Sequence, residues 1–182
     1  MKRRSLVLAT PGMLAGAWAQ QPAQAQPAQP GQPVTWPDVT LLDGSRWAAT
    51  QWAGHPAVVV FWSITCPFCK RHNQHLEKLY RAVNKGNNSN TSSGSSGDTL
   101  KILAVARERD AAAVQRVARQ EGYSFPITLD NGPLSAALST RRVIPLTVTV
   151  DRHGRLLQTL AGEMFEEDVM ELLQLSQKTG RS

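Results

Sequence analysis

The sequence predicts an α/β fold: a mixed parallel and antiparallel sheet with helices on both faces and a β-hairpin at its N-terminal end. Three observations carry this. Residues 57–62 are a continuous apolar run with three valines, and residues 100–106 are apolar except for Lys101, the pattern of strands buried on both faces. Each is followed by a segment with helical spacing of apolar residues, the pattern of parallel strand–helix–strand units. The chain closes with two strand-like segments around Asp151-Arg152-His153-Gly154 and then a helix, which adds antiparallel pairing.

The elements follow in order. Residues 1–19 read as an export signal, with Lys2-Arg3-Arg4 as a charged start, a short apolar stretch to Leu14, and Ala17-Trp18-Ala19 as a cleavage site. Residues 20–33 are almost all Gln, Pro and Ala and predict an extended, mobile linker, which becomes a membrane tether if the signal is not cleaved. Folding is expected from about Val34. Asp43-Gly44 is a hairpin turn signal between Val39-Thr40-Leu41-Leu42 and Arg46-Trp47. A helix is predicted over 67–84, with Pro67 at its first position and Leu76, Leu79, Tyr80 and Val83 on one face. Residues 85–98 hold no apolar anchor and predict a disordered surface loop. After the second strand come a helix over 110–121 stopped by Gly122, a strand over 125–129, a short helix over 133–138, strands over 146–150 and 156–160, and a closing helix over 166–177. Residues 34–177 thus form one domain, and 178–182 a tail.

Composition excludes several classes. The formal charge is +6, from 20 basic and 14 acidic residues. Lys2, Arg3 and Arg4 supply three of the basic residues, which leaves 17 against 14. With no basic stripe interleaved with aromatics, nucleic acid is not an expected partner. Two cysteines do not make a multi-disulfide scaffold. No apolar run reaches the roughly 18 residues of a membrane span.

Those two cysteines, Cys66 and Cys69, form Cys66-Pro67-Phe68-Cys69 where the first buried strand meets its helix. A helix N-terminus presents unpaired N–H groups and the positive end of the macrodipole, which favour a thiolate, the reactive form of cysteine. Cys66 is expected to be the exposed attacking sulfur and Cys69, one turn further in, the resolving one. Pro67 and Phe68 lie between them, on the surface a substrate would meet. Cys66, Cys69, His72 and His75 also spell a zinc-like spacing. Three-residue steps on a helix turn about 300 degrees each, so the four side chains drift around the axis and do not close a tetrahedral site. Copper handling through Cys66, Cys69 and His72 stays open as a non-enzymatic alternative.

Val58-Val59-Val60-Phe61-Trp62 leading into the dithiol resembles the thioredoxin superfamily, and so does Val143-Ile144-Pro145-Leu146-Thr147 followed by Asp151 and Gly154. Trp36-Pro37 and Leu42-Asp43-Gly44, with the export signal, are similar to its periplasmic TlpA/ResA-like branch. The resemblance covers about residues 34–177. It implies a thioredoxin-like mixed sheet flanked by helices, a cis bond before Pro145, and the Ile144 backbone pairing with the substrate chain beside the dithiol. It further implies a monomeric thiol-disulfide oxidoreductase in the periplasm that needs no cofactor or metal. Its partners would be exported proteins with disulfides or thiols, such as apocytochromes in cytochrome c biogenesis or metallochaperones, and an upstream protein reductant.

Three positions depart from the family pattern. Thr65 stands where Trp usually precedes the first cysteine. Val60 stands where thioredoxin has a buried Asp. His72 stands where the branch often has Glu, which makes it the expected proton acceptor for Cys69. An oxidant of the same fold remains an alternative to a reductant. Ser63, three residues before Cys66, faintly echoes peroxiredoxins.

Overall fold

The computed structural model describes residues 27–88, 99–130 and 132–177. The export signal, residues 20–26 of the linker, residues 89–98 of the polar loop and the tail lie outside the described residues.

Strands β1 (Val39–Thr40) and β2 (Arg46–Trp47) form an antiparallel hairpin. Gly44 takes a φ of 87° at the turn, a conformation glycine adopts at no steric cost. The Asp43 carboxylate accepts hydrogen bonds from the N–H and hydroxyl of Ser45. A 3-10 turn, Ala49–Trp52, follows. The main sheet has β3 (Ala57–Trp62), β4 (Lys101–Ala106), β5 (Ile127–Leu129), β6 (Leu146–Val150) and β7 (Leu156–Ala161), in the order β5-β4-β3-β6-β7. The β3–β4 and β4–β5 pairs are parallel, and β3–β6 and β6–β7 antiparallel. The helices are α1 (Pro67–Asn88), α2 (Ala111–Glu121), α3 (Pro133–Leu138), α4 (Glu166–Glu171) and α5 (Gln174–Gln177). This is the mixed sheet, flanked by helices and preceded by a hairpin, that the sequence predicts.

Strand alternation splits the core in two. Val58, Val60 and Trp62 of β3 face α1, α2 and α4, packing with Leu76, Leu79, Val114 and Val169. Because β3, β4 and β5 step outward in one direction, right-handed crossovers put α1 and α2 on the same face. Val59 and Phe61 face the other way, onto Trp52, Leu134, Leu138 and the N-terminal Val34, Val39 and Leu41. Trp36 stacks on Trp52 with centroids 4.0 Å apart, and Trp47 meets it edge-on at 5.4 Å.

Some boundaries shift. The chain is docked from Ala28, not from Val34. The Ala28 N–H donates to the Ala137 carbonyl, the Gly31 N–H donates to the Leu156 carbonyl, the Leu156 N–H donates to the Gln32 carbonyl, and Pro33 bridges Arg155. Backbone groups pair whatever the side chains, so a Gln/Pro/Ala composition did not keep this stretch free. Helix α1 runs four residues past the predicted end, because nothing in Lys85-Gly86-Asn87-Asn88 blocks a helical backbone. Strand β5 starts later than predicted: Pro126 has no N–H to donate, although its carbonyl still accepts from Ala104. The closing helix is split, with i→i+3 bonds such as Leu172 N–H to the Val169 carbonyl tightening the break.

At the sheet's outer edges, Gly31 to Val34 bond along β7 and its turn, while Leu41 and Leu42 lie along β5. The Thr128 hydroxyl also donates to the Thr40 carbonyl at 2.7 Å.

Candidate active site

Strand β3 ends at Trp62, the chain turns through Ser63-Ile64-Thr65, and Cys66 stands at the head of α1. Pro67 takes the first helical position, where a missing N–H costs nothing. The Cys69 N–H donates to Cys66 Sγ at 3.3 Å, one of the orphan donors of the helix start directed at the outer sulfur. Cys66 is partly exposed and Cys69 fully buried, both as free thiols. Burial, a hydrogen bond to Cys66, and the nearby charges of Cys66 and Glu108 push the Cys69 thiol up to about 12, against a lowering contribution from the Ser63 backbone. Cys69 therefore holds its proton until something takes it.

The Ile144–Pro145 bond is cis, as the resemblance implies. Pro145 is buried, and its carbonyl accepts from the Gly162 N–H at 2.9 Å. Ile144 is partly buried, and its N–H and C=O have no hydrogen-bond partner among the described residues. An incoming extended chain can use both groups. Pro67 is exposed, and Phe68 is 55% exposed with the Arg71 guanidinium 5.0 Å over its ring. Arg71 is itself held by a two-pronged bond to Glu163 at 2.8 and 2.6 Å. Val143, which sequence reasoning did not single out, adds another exposed apolar side chain next to Ile144.

His72 requires a correction. It is 1% exposed, and its ring is committed elsewhere than to Cys69. Its Nδ1 accepts from the Met164 N–H at 3.2 Å, which leaves the ring proton on Nε2, donated to Thr147 Oγ1 at 3.1 Å. Burial, and secondarily the His75 charge, lower its pKa from 6.5 to about 4, so the ring is neutral. With both nitrogens engaged, His72 has no lone pair for the Cys69 proton; it ties α1 to β6 and to the turn after β7. His75 Nδ1 bonds the Met164 carbonyl at 3.2 Å, so the two histidines grip one peptide segment instead of turning toward the thiols.

Sequence reasoning also missed Glu108, two residues beyond β4. Its Oε1 accepts from the Ser63 hydroxyl at 2.5 Å and from the Ile64 N–H at 2.9 Å, while Oε2 is buried with no partner among the described residues. Ser63 also meets Thr65 Oγ1 at 3.0 Å. No local motif signals Glu108, because only the parallel register of β3 and β4 brings it to the dithiol turn. Val60 is fully buried between Ala104 and Thr147, an apolar site where thioredoxin has its acid.

A dithiol heading the helix after a central strand, beside a cis-proline segment, defines a thioredoxin-like redox protein. More particularly, residues 29–174 match the model of the Redoxin family, and the chain belongs to that family. It is 28% identical over 134 residues to the thiol-disulfide oxidoreductase ResA of Halalkalibacterium halodurans, covering 74% of this chain and 69% of that one. The structure of StoA from Bacillus subtilis superposes with a TM-score of 0.60 at 22% identity, over 78% of this chain and 98% of that one. A secreted Mycobacterium tuberculosis disulfide oxidoreductase homologous to E. coli DsbE gives a TM-score of 0.61 at 19% identity, over 75% and 92%. These two structures share the fold. With its paired cysteines at the head of α1, the chain is a thiol-disulfide oxidoreductase similar to ResA.

Proposed function

We propose that the protein reduces disulfides in other exported proteins, with Cys66 as nucleophile and Cys69 as resolving thiol. The observation that carries this is the asymmetry of the pair: Cys66 is accessible and receives the Cys69 N–H, whereas Cys69 is buried and keeps its proton. The Cys66 thiolate attacks one sulfur of the substrate disulfide, and the other substrate sulfur leaves as a thiolate. Cys69 then loses its proton and attacks Cys66 Sγ. The second substrate thiolate departs, leaving a Cys66–Cys69 disulfide for an upstream protein reductant to reopen. No cofactor enters these steps. The unpaired Ile144 backbone receives the substrate chain, and Pro67, Phe68 and Val143 offer it apolar contact.

Burial disfavours the Cys69 thiolate, so the inner sulfur adds nothing to the stability of the reduced form, and it is a stabilised reduced form that makes a strong oxidant. The Lys2-Arg3-Arg4 start and the A-x-A site at 17–19 support action in the periplasm, with a membrane tether if the N-terminus is retained. Apocytochromes or metallochaperones are the substrate classes in view, and the protein acts as a monomer.

Two measurements test this. Cys66→Ser should abolish insulin-type disulfide reduction, and Cys69→Ser should trap mixed disulfides; full multiple turnover by Cys69→Ser would reverse the roles. The reduction potential, titrated against glutathione, should lie nearer about −270 mV than about −120 mV. A value at the oxidising end would make the protein a disulfide donor.

A further inference from the structure

We propose that Glu108 takes the proton that Cys69 gives up when it resolves the mixed disulfide; the assignment rests on the dithiol reading above. Three observations converge on this carboxylate. Its Oε1 is held by the Ser63 hydroxyl and the Ile64 N–H, which fixes the group at the turn leading into the dithiol. Its Oε2 is buried without a partner, an open acceptor where one is costly to leave unused. Of the carboxylates, it is Glu108 whose charge is felt at Cys69, and Ser63 touches both groups, Cys69 through its backbone and Glu108 through its hydroxyl.

The other candidates are occupied or turned away. His72 spends both nitrogens on Met164 and Thr147, and His75 directs Nδ1 to the Met164 carbonyl. The Tyr123 hydroxyl donates to the Lys70 carbonyl, and burial shifts its pKa upward, so it keeps its own proton.

Charge bookkeeping favours the transfer. In a poorly solvated pocket, a Cys69 thiolate beside an ionised Glu108 places two negative charges together. Passing the proton from Cys69 Sγ to Glu108 Oε2 moves one charge and adds none. The new thiolate attacks Cys66 Sγ, the Cys66–substrate bond breaks, and the substrate sulfur leaves with the electron pair. Glu108 then releases its proton to that thiolate or to water.

The test uses the full chain and Ellman's reagent, which reports two events. Cys66 attacks first and releases one thionitrobenzoate. Cys69 then displaces the second from the mixed disulfide. Glu108→Gln keeps an acceptor for Ser63 and Ile64 but cannot take a proton. The proposal expects an unchanged first phase, a second phase slower by at least about tenfold, and partial recovery in Glu108→Asp. A purely electrostatic Glu108 gives the opposite sign, because removing its charge eases thiolate formation and speeds the second phase. A second phase as fast as the parent's, or faster, overturns the assignment. Failure of the parent itself to show two phases would instead overturn the dithiol reading. Should Glu108→Gln not fold, time-resolved infrared on the parent reads the same event. A protonated-carboxyl C=O band that rises and decays with the second phase supports the proposal, and its absence overturns it.

Discussion

The two faces of the sheet are built on different terms. Strand β6 shows it in five residues. Leu146, Val148 and Val150 enter the cluster around Phe61 and Trp52, while the intervening Thr147 and Thr149 are turned toward α1 and are equally buried. The face under α1 also buries His72, Asn73 and Glu77. Glu77 accepts from the Ser124 N–H and hydroxyl at 2.7 and 2.6 Å, and from Arg81 Nε at 2.6 Å. Burial alone would raise its pKa, yet these hydrogen bonds hold the carboxyl below the usual carboxylate range. On the opposite face the Thr128 hydroxyl bonds the Thr40 carbonyl, but among the described residues the cluster around Trp52 relies mainly on area and ring stacking. The difference teaches that the face carrying the dithiol is fixed by directional bonds, which hold a helix start and its neighbouring turns in register. The other face supplies non-directional stability.

The sharpest way to break this comparison is Trp52→Ala. It should cost about 3–5 kcal/mol in denaturant unfolding and leave the Cys66 reaction with Ellman's reagent unchanged; an altered thiol rate would mean that the faces are coupled. Next comes pH. The His72 pKa is lower in the folded chain than in the unfolded one, so the unfolded chain takes the proton first. Its stabilisation is complete above about pH 6.5 and disappears as the pH falls toward about 4, by about 3 kcal/mol in total. His72→Gln should flatten that part of the stability profile, whereas parallel melting curves for parent and variant would show that His72 is not a buried neutral ring. Glu77→Ala should cost about 2 kcal/mol, because the Ser124 N–H and Arg81 lose a charged partner; a thermal melt checks it. The smallest effect is expected from Arg71→Ala. Its pair with Glu163 lies at the surface, where water screens it, so a thermal melt should show little loss of stability. The variant should show instead as weaker docking of substrate chains over Phe68.

Much of the fold was legible because its signals are local. The valine run of β3, Pro67 at a first helical position, Asp43-Gly44 and Gly122, with its left-handed φ of 73°, each act within a few residues. The dithiol was legible for the same reason. What escaped depends on register across the sheet. His72 looked free because helical spacing places it one turn from Cys69, and nothing in α1 reveals that Thr147 and the Met164 N–H hold its ring. Glu108 looked like one charge in Arg107-Glu108-Arg109-Asp110 until the Trp62↔Ala106 pairing set it beside Ser63 and Ile64. The docking of residues 28–33 was equally hidden, since it is made by backbone groups that composition does not describe.

That docking, together with the contacts of Leu41 and Leu42, has a consequence for self-association. One stretch of about fifteen residues pairs with both rims of the five-stranded sheet, at the start of β7 and along β5, passing between them across the Trp52 face. Exposed rims are templates on which a second copy can add its own strand, and every rim residue already paired shortens that template. Cutting the chain after Leu42 would strip both rims at once, so a shortened form that kept every residue of the dithiol site would be prone to aggregate through strand addition.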